Sequence, residues 1–302
     1  MFIYLPNRRW FGPAGHSRRS DSTGTSPRAS GSLSDPSHIQ GLPATPRCGR
    51  RAVTILAMDH LAQTLIVMPA FNEEVAVAGV VTEVFEKLPG VSVLVVNDGS
   101  NDATVERARS AGATVLDLPF NLGVGGAMRA GFKYALTNGF RYVVQVDSDG
   151  QHDPAGVPAL LEALQTVDVS IGARFAGEGD YKASGPRRWA MLVLASTVSR
   201  IARTRLTDTT SGFRGAGPRA VAIFAQHYPA EYLGDTVESL VLAARAGCTI
   251  TQVPVSMRVR AGGTPSHDPV KAAVYLGRAC LALVIALWRP PLALSSEASP
   301  SA

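Results

Sequence analysis

Short apolar runs alternate with helical patterns from residue 63 onward. Each run has four to six residues, and the first is closed by Pro69. The pattern predicts strands at 64–68, 91–96, 113–116, 141–146 and 167–171, and helices at 73–88, 102–110, 123–136 and 154–164. Mostly apolar strands separated by helices are typical of a doubly wound, mostly parallel sheet with helices on both faces. We therefore expect an α/β fold.

The second half of the chain is more helical. Its pattern predicts an apolar segment at 189–202, a helix at 236–246, a strand at 249–255 and a last helix at 270–287. The last helix contains an apolar stretch, 279–288, between Arg278 and Arg289. A bilayer-spanning helix needs about 20 apolar residues, so we do not expect this stretch to cross a membrane. It either packs on the domain core or lies at a membrane surface.

Composition divides the chain near residue 57. Residues 1–57 contain eight Arg, no Lys and two Asp, a charge of +6, whereas the whole chain carries +5 and the rest therefore −1. The basic character belongs to this segment, so it does not indicate a nucleic-acid-binding domain. Its richness in Ser, Arg, Pro and Gly predicts a disordered tail. The tail is either a real extension or sequence upstream of a start at Met58.

The three cysteines, Cys48, Cys248 and Cys280, lie far apart in the chain. That spacing argues against a disulfide framework and against a cysteine metal site. We expect a reducing, cytoplasmic setting.

Polar residues follow the predicted strands directly. They are Asn72, Glu73 and Glu74 after the first strand, Asp98 after the second, 121–126 after the third, Asp147, Asp149 and Gln151 after the fourth, and Arg174 after the fifth. The carboxyl ends of parallel strands meet at one edge of a sheet, where ligands bind. We therefore expect these residues to line one crevice.

The segment 147–151 offers two carboxylates and an amide, which are hard oxygen ligands of the kind that Mg²⁺ or Mn²⁺ prefers. A plain strand-to-helix turn would explain Asp153, which can cap a helix that starts at Pro154. It does not explain an acidic pair directly after a strand. We therefore predict that Asp147, Asp149 and Gln151 bind Mg²⁺ or Mn²⁺.

Four segments together resemble the family-2 glycosyltransferases of GT-A fold, most of all the branch that contains the dolichol- and polyprenyl-phosphate sugar synthases. They are residues 68–74, 96–100, 147–151 and 210–214. The resemblance covers about residues 62–266. It implies an inverting, metal-dependent transfer of a sugar from a nucleotide-diphospho-sugar. Together with the composition break near residue 57, it divides the chain into three parts: the tail 1–57, a GT-A domain at 58–266, and an apolar helix with a short polar tail at 267–302.

The resemblance also implies roles for individual residues. The catalytic residues would be Asp149, Arg174, Asp208 and Glu238. Contacts to the nucleotide-sugar would come from Pro69, Asn72, Glu73, Asp98, Asp147 and Arg260. The acceptor would be bound by Arg188, Ser211 and Arg214. The metal ligands would be Asp147, Asp149 and Gln151.

The resemblance defines the acceptor less closely than the donor, because the chain departs from the family pattern at Met191, Ala195 and Gln252, where serine, asparagine and glutamate are usual. A polyprenyl phosphate is anionic and needs no general base, and it would place the protein at the cytoplasmic face of a membrane, in cell-envelope glycan synthesis. A sugar hydroxyl would need a carboxylate to take its proton, and Asp208, Asp235 and Glu238 are the candidates.

Two other functions are open. A sugar-1-phosphate nucleotidyltransferase would carry a glycine-rich basic loop after the first strand, where this chain has Asn72, Glu73 and Glu74. A non-catalytic accessory subunit that binds nucleotide-sugars would be expected to have lost a metal carboxylate, and the segment 147–151 retains both.

Overall fold

The structure, a computed structural model, describes residues 60–173, 195–229 and 235–258. The strands are β1 Thr64–Ala70, β2 Ser92–Asn97, β3 Thr114–Asp117, β4 Tyr142–Gln145, β5 Val169–Ala173, β6 Arg214–Ala216 and β7 Ile250–Pro254. The helices with assigned bounds are α1 Val77–Lys87, α2 Thr104–Ser110, α3 Gly123–Thr137, α4 Val157–Ala163, α5 Pro218–His227 and α6 Asp235–Arg245. A 3₁₀ turn, Pro154–Gly156, precedes α4, and residues 195–202 are also helical.

The described strands form one sheet in the order β3-β2-β1-β4-β6-β5-β7. Strand β6 runs antiparallel to both of its neighbours, β4 and β5, and the other pairings are parallel. The predicted mostly parallel, doubly wound sheet is confirmed. Strand β6 and helix α5 were not predicted. Strand β6 is only three residues long, and its residues, Arg214, Gly215 and Ala216, do not form an apolar run.

The sheet is covered on both faces because side chains of β1 alternate between two apolar clusters. Leu65 and Val67 pack with helices α3, α5 and α6 on one face. Ile66 and Met68 pack with α1 and α4 on the other. A Cβ atom at Gly131 would lie 2.5 Å from Val67 Cγ1, so glycine at this position lets α3 approach β1 closely.

Helix α1 follows the expected spacing but begins later than residue 73. Its buried residues are Val77, Val80, Val81 and Val84, the three-and-four spacing of an amphipathic helix. Residues 72–76 instead form a loop at the carboxyl end of β1, entered through Asn72 in a left-handed conformation, with φ of 55°. This loop borders the crevice that the parallel strands create.

Candidate active site

A cavity of about 320 Å³ opens at the carboxyl ends of β1, β2 and β4. Its volume lies within the range of small-molecule sites, about 300–1,000 Å³. Five of the predicted site residues line it: Pro69, Glu73, Asp98, Asp147 and Asp149. The sheet edge therefore brings together residues from three strand ends that are up to 80 positions apart in the chain.

The acidic loop, residues 147–151, is held by short-range hydrogen bonds. Asp149 Oδ1 accepts from the Gln151 backbone N–H at 3.0 Å. Ser148 Oγ donates to the carbonyl oxygen of Pro69 at 2.9 Å, which fastens the loop to the end of β1. The Gln151 side chain is not among the groups that line the cavity. The structure thus brings two of the three predicted metal ligands, Asp147 and Asp149, to one wall.

Asp98 joins the cavity wall to the start of helix α3. Its Oδ1 accepts from the Leu122 backbone N–H at 2.6 Å. Burial raises the pKa of this carboxyl, and hydrogen bonds from the backbone N–H groups of Leu122 and Gly123 oppose that effect. The side chain therefore fixes the loop before α3 while it also faces the cavity.

The loop at 72–76 is tied to the loop after β2. The Asn72 backbone N–H donates to Ser100 Oγ at 2.9 Å, and Asn72 Oδ1 accepts from the Asn101 backbone N–H at 2.9 Å. The Glu73 backbone N–H donates to Thr104 Oγ1 at 2.8 Å. Asn72 is exposed and is not among the described residues that line the cavity, unlike Glu73. Its side chain joins the two loops at the rim.

Residues 207–214, named the acceptor segment after the role that the resemblance implies, lie against the acidic loop. A Cβ atom at Gly212 would lie 3.3 Å from Asp147 Oδ2 and 3.1 Å from Gln145 Nε2. Asp208 is only 2% exposed, and its Oδ1 accepts from Thr210 Oγ1 at 3.1 Å. Ser211 is also buried, and its Oγ accepts from the Phe213 backbone N–H at 3.3 Å.

Arg214 is buried beside the cavity rather than exposed in it. Its side chain is 8% exposed and is not among the described residues that line the cavity. Its guanidinium donates to the backbone carbonyl oxygens of Ser211, Thr209 and Thr236, and to Ser239 Oγ. Through these hydrogen bonds Arg214 connects the acceptor segment to α6. Glu238, on α6, is partly buried and is also outside the described cavity lining.

Several lining residues were missed by the sequence reasoning: Gln145, Ser148, Thr210, Gly212 and Thr236. Gln145 carried a usable signal, since it is a polar residue inside an apolar strand two positions before Asp147. No sequence signal marks Thr236 as a site residue, because α6 reaches the cavity only through tertiary packing.

The described cavity lining is acidic. It contains four carboxylates, Glu73, Asp98, Asp147 and Asp149, and no Lys or Arg. Within the described ranges no three His, Cys, Asp or Glu side chains form a group that could hold a metal ion. Magnesium is usually bound by one or two carboxylates together with substrate phosphates. The pair Asp147 and Asp149 fits a divalent ion that shares a diphosphate.

Other predicted features lie outside the described residues. They are Arg174, Arg188, Arg260, the tail 1–57 and the helix 270–287. In the part of the chain that the structure describes, no helix has the length and apolar character needed to cross a membrane.

Comparison with known proteins gives sequence matches over most of the described region. The sequence model of the family described as Glycosyl transferase family 2 matches residues 65–223. An undecaprenyl-phosphate mannosyltransferase of Micrococcus luteus is 31% identical over 201 residues, 64% of this chain and 83% of that protein. A polyprenol monophosphomannose synthase of Mycolicibacterium smegmatis is 32% identical over 163 residues, 50% of this chain and 60% of that protein.

A solved structure also shares the fold. The glucosyl-3-phosphoglycerate synthase of Mycobacterium tuberculosis, crystallised with Mn²⁺, uridine diphosphate and glucosyl-3-phosphoglycerate, matches with a TM-score of 0.61. The two are 21% identical, and the match covers 82% of this chain and 88% of that one. The likeness confirms the predicted α/β architecture.

Proposed function

Since the chain belongs to glycosyl transferase family 2, we propose that it transfers a sugar from a nucleotide-diphospho-sugar to a polyprenyl phosphate, with inversion at the anomeric carbon. Its fold is of the GT-A type, and its activity is that of a glycosyltransferase. The proposal concerns the finer points: the metal, the acceptor and the residues that serve each.

The observation that carries the proposal is the acidic cavity. Four carboxylates line it without a described cation, so a nucleoside diphosphate would be repelled unless positive charge accompanied it. Asp147 and Asp149 would hold Mg²⁺ or Mn²⁺, which stabilises the charge of the leaving nucleoside diphosphate when it is bound. Arg174 and Arg260 would add to that stabilisation.

Residues at the ends of the first two strands suit the nucleoside. Pro69, Glu73 and Asp98 line the cavity at the carboxyl ends of β1 and β2. We assign them to the base and ribose. Asn72 would contribute by holding the rim loop, since its side chain bonds to Asn101.

The acceptor would enter beside the acceptor segment. The relatives named as an undecaprenyl-phosphate mannosyltransferase and a polyprenol monophosphomannose synthase support a lipid phosphate. Arg188 is assigned to that phosphate by the family motif. Ser211 is buried and outside the described cavity lining, so it would act by holding the turn before β6 through its bond from the Phe213 N–H. Arg214 would act indirectly, because its guanidinium holds Thr209 and Ser211 in place. A phosphate oxygen is already anionic, so the displacement needs no proton transfer.

A lipid-phosphate acceptor would place the protein at the cytoplasmic face of a membrane, in the synthesis of cell-envelope glycans. The helix at 270–287 is the proposed contact with the lipid surface. A sugar hydroxyl as acceptor would instead require Asp208, Asp235 or Glu238 to take a proton.

The test is a panel of UDP-, GDP- and dTDP-sugars incubated with the full chain, Mn²⁺ and undecaprenyl phosphate, with product masses read by mass spectrometry. The proposal predicts a product heavier than the lipid by one sugar residue for at least one donor. A parallel reaction with oligosaccharide acceptors provides the comparison. Transfer to the oligosaccharide alone would overturn the lipid assignment, and donor binding without turnover would indicate an accessory subunit.

A further inference from the structure

Gln145 is a buried amide of the cavity wall to which the proposed function gives no role. It is 4% exposed, and it ends β4 after Val143 and Val144, with Val146 next in the chain. Burying a polar group is costly unless new hydrogen bonds replace those that it made with water. The amide therefore needs partners for both its nitrogen and its oxygen.

The nitrogen of this amide has a partner in the protein. Gln145 Nε2 donates to Asp147 Oδ1 at 3.0 Å. Since an ionised carboxylate accepts and does not donate, this contact fixes the orientation of the amide. Within the described ranges, no hydrogen bond reaches Gln145 Oε1. The oxygen is therefore available to accept from a molecule in the cavity, which Gln145 lines.

The group that meets this oxygen must be a hydrogen-bond donor. The phosphate oxygens of a nucleoside diphosphate are acceptors, whereas a hydroxyl group donates without carrying charge. The neighbouring residues suit hydroxyl groups. Among the described residues that line the cavity, the acceptor segment contributes Thr210 and Gly212, and α6 contributes Thr236. None of the three is charged, so this part of the lining suits a sugar.

The order of the strands separates this neutral lining from the residues assigned to the nucleoside. Asp98 follows β2, and the acceptor segment enters β6 opposite Gln145, in the strand order β2-β1-β4-β6. Neighbouring strands are about 4.8 Å apart, so β2 and β6 are about 14 Å apart. A donor with its nucleoside at β1 and β2 and its diphosphate at Asp147 would bring its sugar to Gln145.

We propose that Gln145 is a specificity-determining residue, whose Oε1 accepts a hydrogen bond from a hydroxyl group of the donor sugar. This inference rests on the proposed function, because that function places a nucleotide-diphospho-sugar in the cavity. A buried acceptor that is left unpaired disfavours a ligand without the matching hydroxyl. Gln145 thereby selects among sugars, and its bond to Asp147 holds the amide in place.

Gln145→Met tests this contact, because methionine is an unbranched side chain of similar length without an amide. The matched control is Gln165→Met, since Gln165 donates to the Leu161 carbonyl outside the described cavity lining. Calorimetry in Mn²⁺ measures the affinity of the full chain for UDP-glucose, GDP-mannose and dTDP-glucose, and separately for UDP, GDP and dTDP. Each donor thus has a reference ligand that lacks only the sugar.

We expect Gln145→Met to bind the donor that the wild type prefers about tenfold more weakly, because one hydrogen bond is lost. The nucleoside diphosphates should keep their wild-type affinities, and Gln165→Met should match the wild type for every ligand. An equal loss with and without the sugar would show that Gln145 acts on the metal or the nucleoside, and it would overturn the proposal. Unchanged affinity for every ligand would also overturn it.

A second measurement needs no mutation. The wild type is titrated with its preferred donor and with analogues of that donor that each lack one sugar hydroxyl. The proposal predicts one analogue that binds about tenfold more weakly than the parent donor. If every analogue bound as tightly as the parent, the proposal would be overturned even where Gln145→Met fails to fold. Wild-type protein that binds none of the three donors and none of the three nucleoside diphosphates would instead overturn the proposed function itself.

Discussion

Gln252 on β7 donates a hydrogen bond from Nε2 to the backbone carbonyl oxygen of Asp208 across 3.1 Å. The Oε1 atom of the same amide accepts from the backbone N–H and the hydroxyl of Thr207, at 2.8 and 3.1 Å. An amide can donate and accept at once, whereas an ionised glutamate only accepts. The Gln252 amide therefore pairs with the two donors of Thr207 and with the acceptor carbonyl of Asp208.

We expect Gln252→Glu to lower both stability and sugar transfer. The carboxylate would keep the contacts to Thr207 but would lose the donor to the Asp208 carbonyl. An unpaired buried acceptor costs about 1–3 kcal/mol. The control is Gln165→Glu, because Gln165 also donates to a carbonyl, that of Leu161, but outside the described cavity lining. Urea unfolding and transfer assays should show both losses in the first variant and only a stability loss in the second.

Arg214→Lys should destabilise the chain by about 2–4 kcal/mol, since a lysine cannot reproduce the forked donors of a buried guanidinium. The lost bonds join Thr209 and Ser211 to Thr236 and Ser239. Chemical denaturation measures the loss. A variant of unchanged stability whose only defect is a raised KM for the acceptor would show that Arg214 binds the acceptor directly.

Gly212→Ala should reduce transfer about tenfold or more, because small displacements of reacting groups are costly. The new methyl group would press on the Asp147 carboxylate and the Gln145 amide. Gly79→Ala is the control: Gly79 lies in α1 with no atom within 4 Å of the added Cβ, so it should stabilise by about 0.5–1 kcal/mol. Equal transfer rates in the two variants would contradict the close approach of Gly212 to Asp147.

An ion-pair cluster connects the end of the described chain to α1. The Arg258 guanidinium donates to both carboxylate oxygens of Glu83 at 2.8 Å and lies 3.0 Å from Asp153 Oδ1. Hydrogen bonds from Arg258 lower the pKa of Glu83 from 4.5 to about 2, although burial opposes the shift. A carboxyl whose pKa is lower in the folded state stabilises the fold above its unfolded pKa. That contribution is lost as the pH falls from 4.5 towards 2.

Arg258→Gln should therefore reduce the free energy of unfolding at pH 7, and the difference from wild type should shrink as the pH falls below 4.5. Urea unfolding at pH 7, 4.5 and 3.5 measures it. Arg129→Gln is the comparison, because the Arg129 guanidinium bonds to the carbonyl of Gln226, which does not titrate. A difference for Arg258→Gln that stays constant across these pH values would refute the pairing with Glu83.

The sequence predicted the first half of this fold, up to β5, better than the rest. The run 91–96 is apolar except for Ser92, and β2 occupies nearly the same residues. The carboxylates that line the cavity were predicted because they directly follow parallel strands. Strand β6 was missed because its pairing with β4 and β5 depends on contacts between distant segments. Arg214 was assigned to the acceptor by motif, but its partners on α6 became visible only in three dimensions.

The measurement that tests the central claim most directly is metal-dependent sugar transfer by the wild type and by Asp149→Asn. The neutral amide keeps the shape of the side chain but weakens its affinity for a divalent cation. The control is Asp168→Asn at the amino end of β5, where Asp168 bonds to Thr249 away from the described cavity lining.

We expect Asp149→Asn to lower the transfer rate by about 10² or more, because a bound metal provides several kcal/mol of charge stabilisation. Excess EDTA should abolish wild-type transfer, added Mn²⁺ should restore it, and Asp168→Asn should retain the wild-type rate. Full transfer by Asp149→Asn, or by the wild type in excess EDTA, would contradict the account.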